Sequence, residues 1–234
     1  MKIKTLLTAV ICTIFLQSCS LLNKTSSEFT SDTYKSKMNG DSVQTIYVEN
    51  ADDTLKIYSK DVANKDFSKN ANKIYVSDTN KKQTDALSFY KNSLDVDFLT
   101  IPFKYRPNEK NLPKQFTTNL NGAVFLGRRT DRYKLKYSKD PLNKYHRNIT
   151  HHGFSFGVFT GFGATAMNPW VTEEKISQEY DGLVWSKGVA GIIGINNFTV
   201  GIAVGFDNLL DKNRKVWIYQ QKLWYGLAFG LNLN

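Results

Sequence analysis

The residues in this sequence that could do chemistry are a pair of aspartates and a group of histidines. Asp95 and Asp97 lie two residues apart in an apolar run, so on a strand both carboxylates share one face, as metal binding or acid–base catalysis requires. Of His146, His151 and His152, the adjacent pair would point to opposite faces of a strand and would not bind one metal together. With no third ligand nearby, a solvated or ion-paired strand face is the simpler explanation of the two aspartates.

No sequence motif turns these residues into an active site. No nucleophile elbow marks a serine, and the sequence contains no phosphate-binding loop, CxxC pair or metal-spaced cluster. We therefore expect a protein that is not an enzyme and that has no cofactor, no metal and no catalytic residue. If it did catalyse a reaction, His151 or His152 would be the residues best placed to take part.

The N-terminus has the pattern of an export signal. Lys2 and Lys4 precede a short apolar run, Leu6–Leu16, that cannot span a bilayer as a helix. The run ends in Leu16-Gln17-Ser18-Cys19, with an aliphatic residue three positions before the cysteine and a small residue directly before it. This segment resembles the lipobox of bacterial lipoproteins. The resemblance implies a signal peptide of residues 1–18 and acylation of Cys19, for example with palmitate, so that membrane lipid becomes a partner of the chain.

Cysteine content and charge agree with export. Cys12 and Cys19 are the two cysteines, so no thiol remains for a disulfide after processing and acylation. Removal of residues 1–18 takes away Lys2 and Lys4 but no acid, which lowers the formal net charge from +10 to +8. In an exported protein this charge indicates a solvated surface or contact with lipid phosphates, and no nucleic-acid partner is expected.

The processed chain is expected to divide into three segments. Residues 19–41 are dense in Ser, Thr, Lys and Asn and predict an acylated, flexible tether. Residues 42–92 predict a small polar, β-rich segment, with two strands between Val43 and Ser59 and a short helix at Asp78–Tyr90. Residues 93–234 predict an antiparallel β-barrel.

The last third of the chain has the clearest strand pattern, because large apolar residues alternate with small or uncharged polar ones. The apolar positions, which we expect to face either lipid or a core, are Phe198, Val200, Ile202, Val204, Tyr225, Leu227, Phe229, Leu231 and Leu233. The opposite face carries Gly, Ala, Ser, Asn and Thr, whereas a sheet that faces water normally shows Lys and Glu. In this composition the region resembles small outer-membrane β-barrels, whose apolar face meets lipid.

The number of patterned segments predicts the size of the barrel. Seven segments follow residue 90, and because a closed single-chain barrel has an even number of strands, we expect about eight. This count treats Phe116–Leu126 and Tyr133–Tyr137 as two strands joined by a turn at Arg128–Asp131. Pro102 cannot donate a ladder hydrogen bond, so its strand should be bent or lie at an edge. The interior of so small a barrel should be packed.

The sequence thus predicts an outer-membrane-associated lipoprotein with a small β-barrel and a structural or interaction role in the bacterial cell envelope. It would be lipid-anchored, with its N-terminus facing the periplasm and an envelope protein as a further partner. Two alternatives stay open. One is a periplasmic, lipid-anchored barrel that binds an apolar ligand on an inward apolar face. The other is a small lipid-modifying enzyme.

Overall fold

A computed structural model describes residues 29–37, 42–51, 54–60, 66–71, 73–76, 87–109, 112–141, 145–195 and 198–231. Within the strands, the side chains of Lys73, Tyr75, Val76, Ile195, Phe198 and Leu231 are not described. The proposed leader, the acylation site Cys19 and the predicted face residue Leu233 lie outside the described residues.

The described chain is all-β and antiparallel, which confirms the predicted fold class. Its strands, in order, are β1 (Asp32–Lys37), β2 (Val43–Asn50), β3 (Thr54–Ser59), β4 (Lys73–Val76), β5 (Leu87–Arg106), β6 (Gln115–Thr117), β7 (Asn121–Lys139), β8 (Tyr145–Met167), β9 (Tyr180–Ile195), β10 (Phe198–Leu209) and β11 (Leu223–Leu231). Short 3-10 turns lie at Trp170–Thr172 and Lys212–Lys215. In the part of the chain described, no helix has the length and apolar character needed to cross a membrane.

Six of the described strands close into a ring. Hydrogen-bonded neighbours run in the order β5-β7-β8-β9-β10-β11, and β11 then pairs with β5. The closing register places Gly230 opposite Leu99 and Gly226 opposite Lys104, with an irregularity between these pairs. Pro102 lies at this irregularity, where side-chain alternation along β5 shifts by one residue. The strand of Pro102 is therefore not an edge strand, and an irregularity of this kind is where a strand bends.

The ring contains six strands among the described residues, rather than the expected eight or so. The error came from Arg128–Asp131, which lies within the single strand β7 and is not a turn. Arg129 and Asp131 point into the ring and form an ion pair there, so the charged run continues the strand. The segments predicted as two strands on either side of it therefore contribute one ring strand and the short strand β6.

Strands β1–β4 form a small sheet that extends from β5. Strand β1 pairs with β5 through Lys35 and Tyr90, on the edge that β11 occupies further along β5. The buried core of this sheet contains Phe29, Tyr34, Ile46, Val48, Leu55, Ile57, Phe89, Tyr133 and Leu135. The helix predicted at Asp78–Tyr90 is wrong at Leu87–Tyr90, which begin β5, because Phe89 packs into this core in strand alternation. Residues 78–86 lie outside the described residues. Strand β5 also crosses the expected segment boundary at residue 92.

The two ends of the ring differ in their connections. At one end, the loop end, residues 107–120, 168–179 and 210–222 join the strands. The last two of these loops pack on each other, and the Ile218 amide donates to the Val171 carbonyl over 3.0 Å. At the other end, the sheet end, β7 leads to β8 and β9 leads to β10, and the β1–β4 sheet packs there against side chains of β5, β7 and β8.

Candidate functional site

The outer face of the ring is apolar on all six strands. Its exposed large apolar side chains are Leu94, Val96 and Phe98 on β5, Val124 and Leu126 on β7, Phe154, Phe156, Val158 and Phe162 on β8, Leu183, Trp185, Val189 and Ile193 on β9, Val200, Ile202 and Phe206 on β10, and Tyr225, Leu227 and Phe229 on β11. Among the predicted face residues, five are between 40% and 63% exposed: Val200, Ile202, Tyr225, Leu227 and Phe229. Val204 is half-buried.

This outer face forms a continuous band around the ring. On β8 the band runs from Phe154 to Phe162, eight residue steps or about 27 Å along the strand. A tilted β-strand that crosses a bilayer needs about 9–11 residues, and this stretch of β8 has nine. Soluble monomers rarely expose contiguous apolar patches larger than a few hundred Å².

Lys187 is a charged exception within the band. Its ammonium lies 4.6 Å from the centre of the Trp185 ring, and the Trp185 indole N–H donates to Thr160 Oγ1 over 2.8 Å. A long stem that follows the wall and a cation–π contact both lower the cost of a lysine on an apolar surface.

The inside of the ring holds buried charges, and the cluster nearest the loop end centres on Asp207, which is 0% exposed. Its carboxylate accepts hydrogen bonds from Lys104 Nζ at 3.0 Å, Ser186 Oγ at 2.6 Å, Trp224 Nε1 at 2.9 Å, and Arg106 Nη2. Lys104 also lies 4.5 Å from the Trp224 ring centre. Buried charges persist in proteins when they are paired and hydrogen-bonded, and one carboxylate here serves two cations.

Arg106 connects this Asp207 cluster to the loop end. Its guanidinium carbon lies 5.3 Å from the Trp217 ring centre and 5.2 Å from the Tyr219 ring centre. Burial raises the pKa of the Tyr219 hydroxyl; the nearby Arg106 opposes this effect and Glu109 adds to it. Tyr219 therefore stays neutral at physiological pH. The packed loops close the ring above its buried charges.

A second charged cluster, the Arg129 cluster, lies towards the sheet end. Arg129 Nε is 2.8 Å from Asp131 Oδ1, and Arg129 Nη1 is 3.7 Å from Asp95 Oδ1. His151 Nε2 is 2.7 Å from Asp131 Oδ1, and Ser155 Oγ donates to Asp95. All five side chains are almost fully buried. These side chains come from β5, β7 and β8. The strands pair so that their inward-facing residues lie side by side.

Between the two clusters the ring interior is filled by apolar side chains. Ten buried residues form this core: Leu99, Ile101, Ala123, Phe125, Phe159, Ala190, Ile192, Ala203, Trp224 and Ala228. The two charged clusters and this core occupy much of the described interior. A concavity of about 1110 Å³ is lined by residues from both faces of the wall: Phe98, Leu99, Thr100, Gly122, Ala123, Val124, Thr160, Gly161, Phe162, Trp185, Thr199, Phe229 and Gly230.

The residues singled out for chemistry take three different positions. Asp95 and Asp97 both point into the ring, so the prediction that they share a face is confirmed. His151 is buried and His152 is exposed, which confirms that they lie on opposite faces. His146 is exposed at the sheet end, 2.8 Å from Asp140 Oδ2. In the described residues, no three His, Cys, Asp or Glu side chains are grouped as metal ligands would be.

The buried serine and histidine do not form a nucleophile–base pair. Ser155 and His151 share the inward face of β8 but lie four residues apart, about 14 Å along a strand. A nucleophile and its base must lie within hydrogen-bond reach, about 2.6–3.2 Å. Each of the two side chains instead contacts its own aspartate, Asp95 and Asp131 respectively.

The buried cations and Asp207 were not predicted from the sequence. A signal for Asp207 was present, because it continues the small-residue face of β10 that includes Ala203 and Gly205. Lys104 and Arg106 gave no such signal, because the irregularity at Pro102 moves them to the inward face.

Comparison with protein-family models, with curated proteins and with solved structures gives no match. The protein is therefore classified by its architecture alone. It is an all-β protein whose antiparallel six-stranded ring has an apolar outer face and a charged, packed interior.

Proposed function

We propose that this protein is a lipoprotein of the bacterial outer membrane whose six-stranded ring is embedded in the bilayer, where it anchors the β1–β4 sheet at the membrane surface. One observation carries the proposal: the apolar face of every ring strand points outward, and the buried Asp, Lys and Arg side chains point inward. Membrane barrels have this distribution, which is the reverse of that in a soluble protein. Because buried side chains occupy much of the ring interior, the proposed role is structural or interaction-related.

The position of the lipid anchor supports one orientation. Phe29 packs in the core of the β1–β4 sheet, ten residues after Cys19. Ten extended residues reach at most about 35 Å, so acyl chains on Cys19 would enter the leaflet at the sheet end. Outer-membrane barrels have short periplasmic turns and longer external loops. The two residues 196–197 between β9 and β10 and the longer loops at the opposite end favour a periplasmic sheet end.

Cysteine labelling tests the placement of the ring in lipid. The processed chain has no cysteine after Cys19, so each introduced thiol is unique. We expect Ile202→Cys and Leu227→Cys, on the outer face, to react in isolated outer membranes with a lipid-confined probe and to resist a water-soluble maleimide. Ala203→Cys and Ala228→Cys are the matched inward controls, buried in the ring core, and should react with neither probe. Reaction of the outer pair with the aqueous maleimide would contradict the proposal.

Removal of the anchor is the second test. We expect a Cys19→Ala variant, exported by an ordinary secretory leader, to stay in the outer-membrane fraction and to resist carbonate extraction, because the ring holds it there. The unmodified chain is the control. Release of the variant into the periplasmic fraction would show that the acyl chains alone provide attachment.

A second candidate function is the binding of an apolar ligand, and the concavity of about 1110 Å³ favours it. The alternative predicted from sequence placed that ligand on an inward apolar face, but the inward apolar residues of the ring pack on one another as a core, and the exposed large apolar side chains lie on the outer face. A ligand would have to occupy this concavity in the wall. Co-purification of a stoichiometric apolar molecule, lost on Gly122→Trp substitution, would support this candidate.

A further inference from the structure

Basic residues continue the outer face of β7 from the margin of the apolar band towards the sheet end. The outward positions of this strand change from Val124 and Leu126 to Arg128, Arg132 and Lys136, which are all exposed. Lys134, on the same face, is half-buried. The band therefore ends in a basic strip that runs towards the sheet end.

The neighbouring strands extend this strip. Arg132 lies opposite His152 of β8 on one side and Tyr90 of β5 on the other, with its guanidinium carbon 5.5 Å from the Tyr90 ring centre. Arg128 lies opposite two residues of the apolar band, Leu94 and Phe156. Arg128 lies beside the band, and Arg132 lies four residues, about 14 Å, further along the strand. The two arginines therefore bracket a headgroup layer, which is about 5–8 Å deep.

The strip has no acidic residue on its own face. The outward positions of β7 from Gly122 to Ser138, and of β8 from His146 to Ala166, contain no Asp or Glu. The acids of these strands and of the facing part of β5, Asp95, Asp97 and Asp131, point inward. Among the described residues, no acid on the outer faces of β5, β7 and β8 opposes the positive charge of the strip, and Arg128 lies nearest the edge of the band.

We propose that Arg128 and Arg132, with Lys134, Lys136 and His152, form a binding strip for the phosphates of anionic phospholipid headgroups in the leaflet at the sheet end. This inference rests on the proposed membrane placement of the ring. Arginine donates two parallel hydrogen bonds to a phosphate, and basic residues near a membrane surface strengthen binding to anionic lipid about fivefold each. The strip would fix the depth and rotation of the ring in the bilayer.

The experiment measures lipid binding by the processed, acylated chain in a nonionic detergent. Short-chain phosphatidylglycerol is titrated at 0.1 M salt, with bound lipid read by native mass spectrometry, and short-chain phosphatidylcholine and inorganic phosphate are parallel probes. We expect Arg128→Gln/Arg132→Gln to weaken phosphatidylglycerol binding about 10- to 25-fold. Lys212→Gln/Arg214→Gln, which removes two exposed charges at the loop end, is the matched control and should change binding less than twofold.

Three results would overturn the strip: equal binding by the double variant, an equal loss in the loop-end control, or equal affinity for phosphatidylcholine. Competition by inorganic phosphate at the lipid's own concentration would overturn the assignment to a lipid headgroup. Both double variants should keep the parent's β-sheet circular dichroism, since all four substituted side chains are exposed. Failure of membrane placement is read separately, from the Ile202 and Leu227 labelling. If the outer-face cysteines label as expected but the protein binds phosphatidylglycerol no better than phosphatidylcholine, only the proposed binding strip is refuted.

Discussion

Replacement of Asp207 by alanine is expected to lower the free energy of unfolding by about 3–5 kcal/mol, the usual cost of removing one partner of a buried ion pair. Asp207 is the carboxylate that accepts from both Lys104 and Arg106, and the two cations are 2% exposed. Without it, two positive charges remain inside the ring, and the hydrogen bonds from Ser186 and Trp224 are lost as well.

Urea unfolding of the protein refolded into lipid vesicles, followed by tryptophan fluorescence, measures this effect. Asp181→Ala is the matched control, because Asp181 is an exposed carboxylate on the neighbouring strand β9 and its loss should change stability by no more than about 0.5 kcal/mol. Asp207→Asn should lie between the two variants, since the amide keeps an acceptor but not the charge. An Asp207→Ala protein as stable as the parent would mean that the buried cations have another counter-charge.

Replacement of Gly161 by alanine is expected to cost about 3 kcal/mol or more, at the upper end of overpacking effects. A Cβ built at Gly161 would overlap the carbonyl oxygen of Gly122 and the Cα of Ala123 on the adjacent strand. These contacts are backbone atoms, so no side-chain rotation relieves them. A closed six-stranded ring is tightly curved, and glycine at this inward position lets β7 and β8 approach each other.

The adjacent Gly122 provides the control for this substitution. It faces outward on β7, opposite Phe162, and a Cβ there would meet no atom within 4 Å. We expect Gly122→Ala to fold with the yield and unfolding midpoint of the parent, whereas Gly161→Ala should refold poorly into vesicles. Equal refolding of the two alanine variants would show that β7 and β8 do not approach each other closely at Gly161.

The fold class and the two faces of the strands could be predicted from sequence because they follow from period-two alternation, which is local information. The hairpin of β10 and β11 illustrates this, since every large apolar residue from Val200 to Phe206 falls on one face. Alternation cannot say which face is inside, because a soluble barrel and a membrane barrel have the same period. That assignment required the ring itself, which closes through contacts between β5 and β11 that are far apart in sequence.

The strand count failed at Arg128–Asp131 for a physical reason. Four consecutive polar residues normally indicate a turn, but here Arg129 and Asp131 are paired inside a ring whose outside is apolar. In a narrow ring with charges inside, the most polar residues lie in the middle of strands, where strand propensities favour apolar residues. The same inversion concealed the clusters around Asp207 and Arg129, whose members come from strands distant in the chain.

Strands β5, β7 and β8 are 20, 19 and 23 residues long and run without interruption from the ring into the core of the β1–β4 sheet. The sheet and the ring thus share continuous strands, and no break separates them within β5, β7 or β8. A force that a partner applied to the sheet would be transmitted directly to the ring through these strands. The sheet consequently presents its surface at one fixed angle to the ring axis.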